Sequence, residues 1–208
     1  AALCARLKGQ DAVAVDTEFM RERTYWPKLC LVQVAGANEA AAIDPLADGM
    51  DLSPLFALWD APETVKVFHA GRQDLEIFFH LSGRLPKPVF DTQLAAMVCG
   101  FGDQVSYETL AAKLARARLD KGSRFTDWSL RPLSQRQIEY AIADVVHLLP
   151  VYRKLKHRLE ASGRGDWLAE ELAALTDPHI YTFDPDEAFR RLKYRGGNAR
   201  FLAVASAL

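Results

Sequence analysis

The sequence predicts an α/β protein built on one mixed five-stranded sheet covered by helices, with a helical extension at the C-terminal end. Three observations predict it. Three strand-sized apolar segments follow one another on short links between residues 12 and 43. Helices and strands then alternate as far as Phe90, and beyond that point the apolar spacing is helical throughout. The first strand is apolar along both sides and turns acidic only at its end, the pattern of a central strand covered on both faces.

Taken in order, residues 3–9 read as a short helix end, and Ala12–Phe19 is the central strand. A polar, basic connection from Met20 to Lys28 leads to a second strand, Leu29–Val34. The third, Glu39–Ile43, is stopped by the turn Asp44-Pro45. Ser53-Pro54 predicts a helix with the serine as N-cap and proline at the first helical position. Val65–Phe68 is the fourth strand and Gly71 opens a helix to about Leu81. Pro88–Phe90 is a short fifth strand closed by Asp91, which reads as the N-cap of the next helix. Helical spacing then covers 92–99, 106–119, 134–160 and 165–176, with Ser134 and Gln137 spaced as a capping box. Composition shifts near Thr176–Pro185, which reads as a linker, and the basic segment Arg190–Arg200 begins something new. The expected division is one domain over 1–176 and a linker with the start of a second module over 177–208.

A length of 208 residues suits one substantial domain and little more. No apolar run approaches the ~20 residues that span a bilayer, so no membrane role is expected. Cys4, Cys30 and Cys99 are odd in number and far apart, without a CxxC pair. They predict neither a disulfide framework nor a zinc knuckle, and fit a reducing cytoplasm. The balance of 26 basic against 27 acidic residues leaves a net charge of −1, which decides nothing about nucleic acid: acids gathered around cations would leave the basic residues to face phosphate.

Four acids do not fit their surroundings. Asp16 and Glu18 lie at i and i+2 on one strand and share a face, directly after Ala-Val-Ala-Val. A carboxylate there must be compensated for its desolvation. Asp74 heads the apolar stripe of its helix, with Phe78 at i+4 and Leu81 at i+7, although an acid near a helix N-terminus is also favoured by the dipole. Asp144 falls among Ala141, Val145 and Leu148, inside the stripe that should be buried, and Tyr140 stands beside it one turn earlier. Hard oxygen ligands in that number suit Mg²⁺ or Mn²⁺ rather than zinc. Two such ions stabilise the attacking and leaving oxygens of a phosphodiester displacement.

At these residues the chain resembles ribonuclease D, of the tyrosine subclass of the DEDD 3′→5′ exonucleases. One motif is Val15-Asp16-Thr17-Glu18-Phe19, continuing from Arg23 through Tyr25 to Gln33. The next is His69-Ala-Gly-Arg-Gln-Asp74, followed by Asp91-Thr92-Gln93. The last is Tyr140-Ala-Ile-Ala-Asp144, preceded by Leu119-Asp-Lys121 and by Thr126-Asp-Trp128-Ser-Leu-Arg131-Pro. The resemblance runs from about residue 3 to 160. It implies an RNase H-like fold and two divalent cations, Mg²⁺ or Mn²⁺, with Asp16 bridging them. Glu18 and Asp144 would complete one ion's shell, Asp74 would hold the other partly through water, and Tyr140 would orient the attacking water. It also implies that RNA with a free 3′ end is the substrate, of the tRNA-precursor type, and that 5′-mononucleotides are released. This family normally continues into one or two helical HRDC-type modules; the segment from Pro185 resembles only the entrance to the first, the rest being either cut or absent.

Around these acids, His69, Phe19, Lys121, Trp128 and Arg131 are expected substrate contacts: Lys121 and Arg131 for phosphates, Phe19 and Trp128 for stacking on bases. Arg21, Arg23, Arg124 and Tyr25 are weaker candidates of the same kinds. A plain metal-dependent phosphatase, which D-x-E alone could serve, is argued against by the ordered third motif, and two further rival readings stay open. One is a DNA 3′→5′ exonuclease of the same superfamily, since contacts to a 2′-hydroxyl cannot be read from sequence. The other is an inactive RNA-binding module, which loss of one of the four acids would have favoured.

Overall fold

Five strands, β1 (Ala12–Met20), β2 (Lys28–Ala35), β3 (Ala40–Ile43), β4 (Val65–Phe68) and β5 (Val89–Asp91), form one sheet in the order β3-β2-β1-β4-β5. A short helix, α1 (Ala2–Leu7), precedes β1. Only β2 runs against the others: it pairs antiparallel with β1 and β3, while β1 pairs parallel with β4 and β4 with β5. The structure, a computed structural model, describes residues 1–119 and 126–182. The expected helical extension beyond Thr182, with Arg190–Arg200, and the candidates Lys121 and Arg124 lie outside the described residues. Contacts divide the chain into Ala1–Thr176 and Asp177–Leu208. In the second of these, Asp177 caps a 3-10 turn over Pro178–Ile180.

Both faces of the sheet are covered, which is why β1 and β2 are apolar on both sides. Ala12 and Ala14 of β1 share a face with Val67 and Ala35 and pack in one apolar cluster with α4 (Thr92–Val98), α7 (Leu148–Ser162) and α8 (Gly165–Leu175). The end of α6 (Gln135–Val146) joins the same layer through Val145. On the opposite face, α2 (Ser53–Trp59) and α3 (Arg72–Ser82) pack through Trp59 and Phe78, whose rings are 5.1 Å apart, and Phe78 meets Phe68 of β4. That face also buries Lys66 completely. Its ammonium donates to the carbonyls of Ala61, Thr64 and Lys87, which makes the buried cation tolerable. Burial pushes its pKa down to about 8, against the opposing pull of Glu63 and Asp60.

Local chemistry explains most element boundaries. Asp91 accepts from Gln93 N and Leu94 N as the N-cap of α4, and Ser134 with Gln137 forms the expected capping box on α6. Gly71 is required at the head of α3, where a Cβ would come within 2.6 Å of Phe68 Cβ. Three expectations need correction. Ser53 is the first residue of α2 and not its cap; Leu52 takes that place, and Asp51 accepts from Ser53 N instead. The segment 134–160 is two helices, broken at His147. Pro150 has no N–H to offer the carbonyl of Val146 and its ring crowds it, so α6 ends there. Over 106–119, α5 (Tyr107–Leu110) passes into a π-helical turn, Ala111–Ala115, and stops at Arg116 with φ of 56°.

Candidate metal centre

The acids meet at the carboxyl end of β1. Asp16, Glu18 and Asp144 each offer a carboxylate oxygen, and these atoms all lie within 4.8 Å of one another. The two strand residues reach this point because i and i+2 project from one face, and Asp144 reaches it because α6 packs over β1, β2 and β3 on that same face. Asp74 arrives from the other side of the sheet. It sits in the first turn of α3, 7% exposed, and accepts a hydrogen bond from the hydroxyl of Thr17, the β1 residue that faces away from Asp16 and Glu18. It is therefore not part of the three-acid group, but its charge is the largest of those acting on Asp16.

The electrostatics are those of anions held together. Burial first, then Asp74, Asp144 and Glu18, push the Asp16 carboxyl well above its usual range, offset only by the Thr17 backbone N–H. Burial raises Asp74 to about 6, against the Thr17 hydroxyl that favours its ionised form. Carboxylates converging on one point without compensation are costly. A divalent cation reverses that cost, and oxygen-only donors match the preference of Mg²⁺ and Mn²⁺. The donor set of Asp16, Glu18 and Asp144 thus fits such an ion.

Tyr140 lies one helical turn before Asp144 and its hydroxyl hydrogen-bonds that carboxylate. Burial, then the charges of Asp144, Glu18 and Asp16, raise the phenol further above its ordinary value, so the group is a hydrogen-bond donor and not a base. Asp16, Tyr140 and Asp144 form one wall of a cleft of about 410 Å³, whose other walls include His69, Gln93, Gln104, Ser106 and Tyr107.

A family profile described as 3′-5′ exonuclease matches residues 1–160. The chain belongs to the 3′-5′ exonuclease family. Within it, ribonuclease D of Acidiphilium cryptum is 59% identical over 208 residues, which is all of this chain and 53% of that protein. Ribonuclease D of Gluconacetobacter diazotrophicus is 57% identical over 98% of this chain and 52% of its own. The chain thus spans about half the length of the curated relatives it matches. Among solved structures, Escherichia coli RNase D, described as an exoribonuclease involved in structured RNA processing, superposes with a TM-score of 0.85 at 39% identity, over 91% of this chain and 50% of that one. Brucella melitensis NrnC with bound Mg²⁺ gives 0.75 at 28% identity, over 92% of both chains.

For this exonuclease-family chain the remaining candidates separate clearly. His69 lines the cleft; its Nδ1 is 2.9 Å from Thr92 Oγ1, and burial lowers its pKa, so the ring is neutral. Phe19 is half-buried and does not line the cleft. Trp128 is 3% exposed and packs with Cys30, Leu31 and Ala141. Its ring lies 6.1 Å from that of Tyr140, so it backs the cleft wall and offers no face to a base. Arg131, expected at a phosphate, engages all five N–H groups inside the protein: two on Asp44 and one each on the carbonyls of Cys30, Trp128 and Leu130. Sequence reasoning missed Tyr107 and Thr17. Tyr107 sits in a helical stripe that reads as core, yet it lines the cleft and donates to Ala143 O. Thr17 gave no signal, because alternation says only which face it occupies. Asp91 does more than cap α4: it also accepts from Ala70 N and Gly71 N, holding the turn in which Ala70 takes φ of 54°.

Proposed function

We propose that this chain is the catalytic part of a two-metal-ion 3′→5′ exoribonuclease that releases 5′-mononucleotides from RNA 3′ ends, with structured RNAs of the tRNA-precursor type as substrates. The observation that carries the reading is the convergence of Asp16, Glu18 and Asp144 within 4.8 Å at the rim of an open cleft, with Asp74 against Asp16. Divalent cations in this site would supply Lewis-acid stabilisation of the phosphodiester and lower the pKa of the attacking water. Asp16, Glu18, Asp74 and Asp144 would bind and orient those ions. The Tyr140 hydroxyl, held by Asp144, orients the water. The cleft of about 410 Å³ beside these acids is where a terminal nucleotide would sit. Ribonuclease D relatives and the E. coli enzyme, described as acting in structured RNA processing, support RNA over DNA. The three free cysteines support a reducing compartment such as the cytoplasm.

The test is digestion of end-labelled RNA and DNA strands of one sequence, with Mg²⁺, with Mn²⁺ and in EDTA. Expected are mononucleotides shortening the RNA from its 3′ end, no reaction in EDTA, and slower loss of DNA. Undiminished cleavage in EDTA would sink the metal reading, and efficient cutting of a circular strand would sink exonuclease action.

A further inference from the structure

The β1–β2 ladder changes register beside the metal centre. Glu18 pairs with Leu31, but the next residue, Phe19, pairs with Leu29, so Cys30 is one residue too many on β2. A bulge of this kind twists the strand and re-aims the side chains around it. Here it lies directly across from Glu18, one of the three converging acids. Its extra carbonyl, Cys30 O, is satisfied by Arg131 Nη2 at 2.7 Å.

Arg131 makes that bond as part of a saturated set. Nε and Nη2 hold Asp44 in a two-bond pair, both at 2.7 Å, and Nη1 donates to Trp128 O and Leu130 O at 2.8 Å each. Asp44 also accepts from Leu46 N, which fixes the turn after β3. One guanidinium therefore joins the bulge in β2, the turn leaving β3, and the segment that brings Trp128 against Tyr140. The pair with Asp44 spans 87 residues of sequence and the bond to Cys30 spans 101. The side chain is 27% exposed, but with no N–H left over it has nothing to give a phosphate without breaking one of these bonds.

We propose that Arg131 is a positioning residue of the metal centre: by clamping the Cys30 bulge and the Trp128 segment it sets the directions of Glu18 and Tyr140. It acts through these groups and touches neither ion nor substrate. The inference rests on the metal reading of the site. Its chemistry depends on the planar five-donor fork, which lysine cannot reproduce although it keeps the charge. Residues that orient metal ligands typically carry a 10–100-fold effect on metal affinity.

The experiment measures Mn²⁺ binding directly, from the loss of the free-ion paramagnetic resonance signal, on the wild type, Arg131→Lys and Asp44→Asn. RNA binding is measured in parallel against salt in EDTA. A fourth protein, Leu159→Ala, truncates a core side chain about 16 Å along α7 from the cleft residue Leu148, at 1.5 Å rise per residue, and controls for plain loss of stability. Expected is a ~10–100-fold weaker Mn²⁺ affinity in Arg131→Lys, a smaller loss in Asp44→Asn, wild-type affinity in Leu159→Ala, and an unchanged salt slope in all. A phosphate contact predicts metal affinity intact and RNA binding retained in Arg131→Lys and, in a fifth protein, Arg131→Ala, a salt slope lower by ~0.7. Wild-type Mn²⁺ affinity in both Arg131→Lys and Asp44→Asn overturns the proposal, as does an equal loss in Leu159→Ala. Failure of the wild type itself to bind Mn²⁺ instead overturns the metal reading beneath it.

Discussion

Replacing Asp91 tests how the cleft is held open from behind. Its carboxylate is 1% exposed and accepts four backbone N–H bonds. Oδ1 takes Ala70 N, Gln93 N and Leu94 N at 3.2, 2.7 and 3.2 Å, and Oδ2 takes Gly71 N at 2.8 Å. Two helix heads, α3 and α4, thus depend on one side chain. Asp91→Ala loses the cap of α4, about 1 kcal/mol, and strands the donors of Ala70 and Gly71, about 1–3 kcal/mol each when left unpaired. The sum is roughly 5 kcal/mol, a large share of the ~5–15 kcal/mol that a domain commands. Asp91→Asn can keep its oxygen where three donors converge, but then faces the Gly71 N–H with an amide N–H of its own. It should cost about 2 kcal/mol, one unpaired donor's worth. Urea denaturation at pH 7 in EDTA measures both. Because Asp74 rides on the first turn of α3, turnover in saturating Mn²⁺ should fall in the same order. Equal losses for Asn and Ala, or an Asn loss below ~0.5 kcal/mol, would refute the reasoning from separate oxygens.

The other predictions concern the acids and their tyrosine. Tyr140→Phe removes the hydroxyl that bonds Asp144 and should lower single-turnover cleavage by roughly 10²–10³-fold with metal binding nearly unchanged. Asp144→Asn should weaken metal binding itself, so wild-type turnover of Tyr140→Phe at saturating metal would reduce that residue to packing. Asp74 has a folded pKa of about 6, above its unfolded value of ~3.9, so between those values the folded state binds more protons. The metal-free protein therefore loses stability as pH rises through that window. Asp74→Asn, which can still accept from Thr17, should melt a few degrees higher than wild type in EDTA at pH 7. At pH 4.5 the difference should shrink; a lower melting temperature at pH 7 would contradict this. The same argument predicts that Asp16→Asn stabilises the EDTA-treated protein at pH 7 and that excess Mg²⁺ abolishes its advantage, as a calorimetric scan with and without metal would reveal.

The sequence by itself determined most of the elements and which residues stand out among them. Alternation placed Asp16 and Glu18 on one face, and helical spacing set Tyr140 beside Asp144. Although spacing read 134–160 as one helix and passed over the break that Pro150 imposes at His147, short-range capping marked the heads of α4 and α6. These features are legible because they depend on neighbours within four residues. Tertiary structure alone decided which layer each acid comes from. Asp16, Glu18 and Asp144 meet on one face of the sheet, whereas Asp74 comes from the other and accepts from Thr17. It also decided that Trp128 supports Tyr140 from within the core and that Arg131 directs its charge to Asp44 and Cys30. The physical reason is that periodicity tells which face a side chain occupies but not what meets it there. An arginine near an active-site motif reads as a phosphate ligand until partners 87 and 101 residues away, with two nearby carbonyls, have claimed every one of its donors.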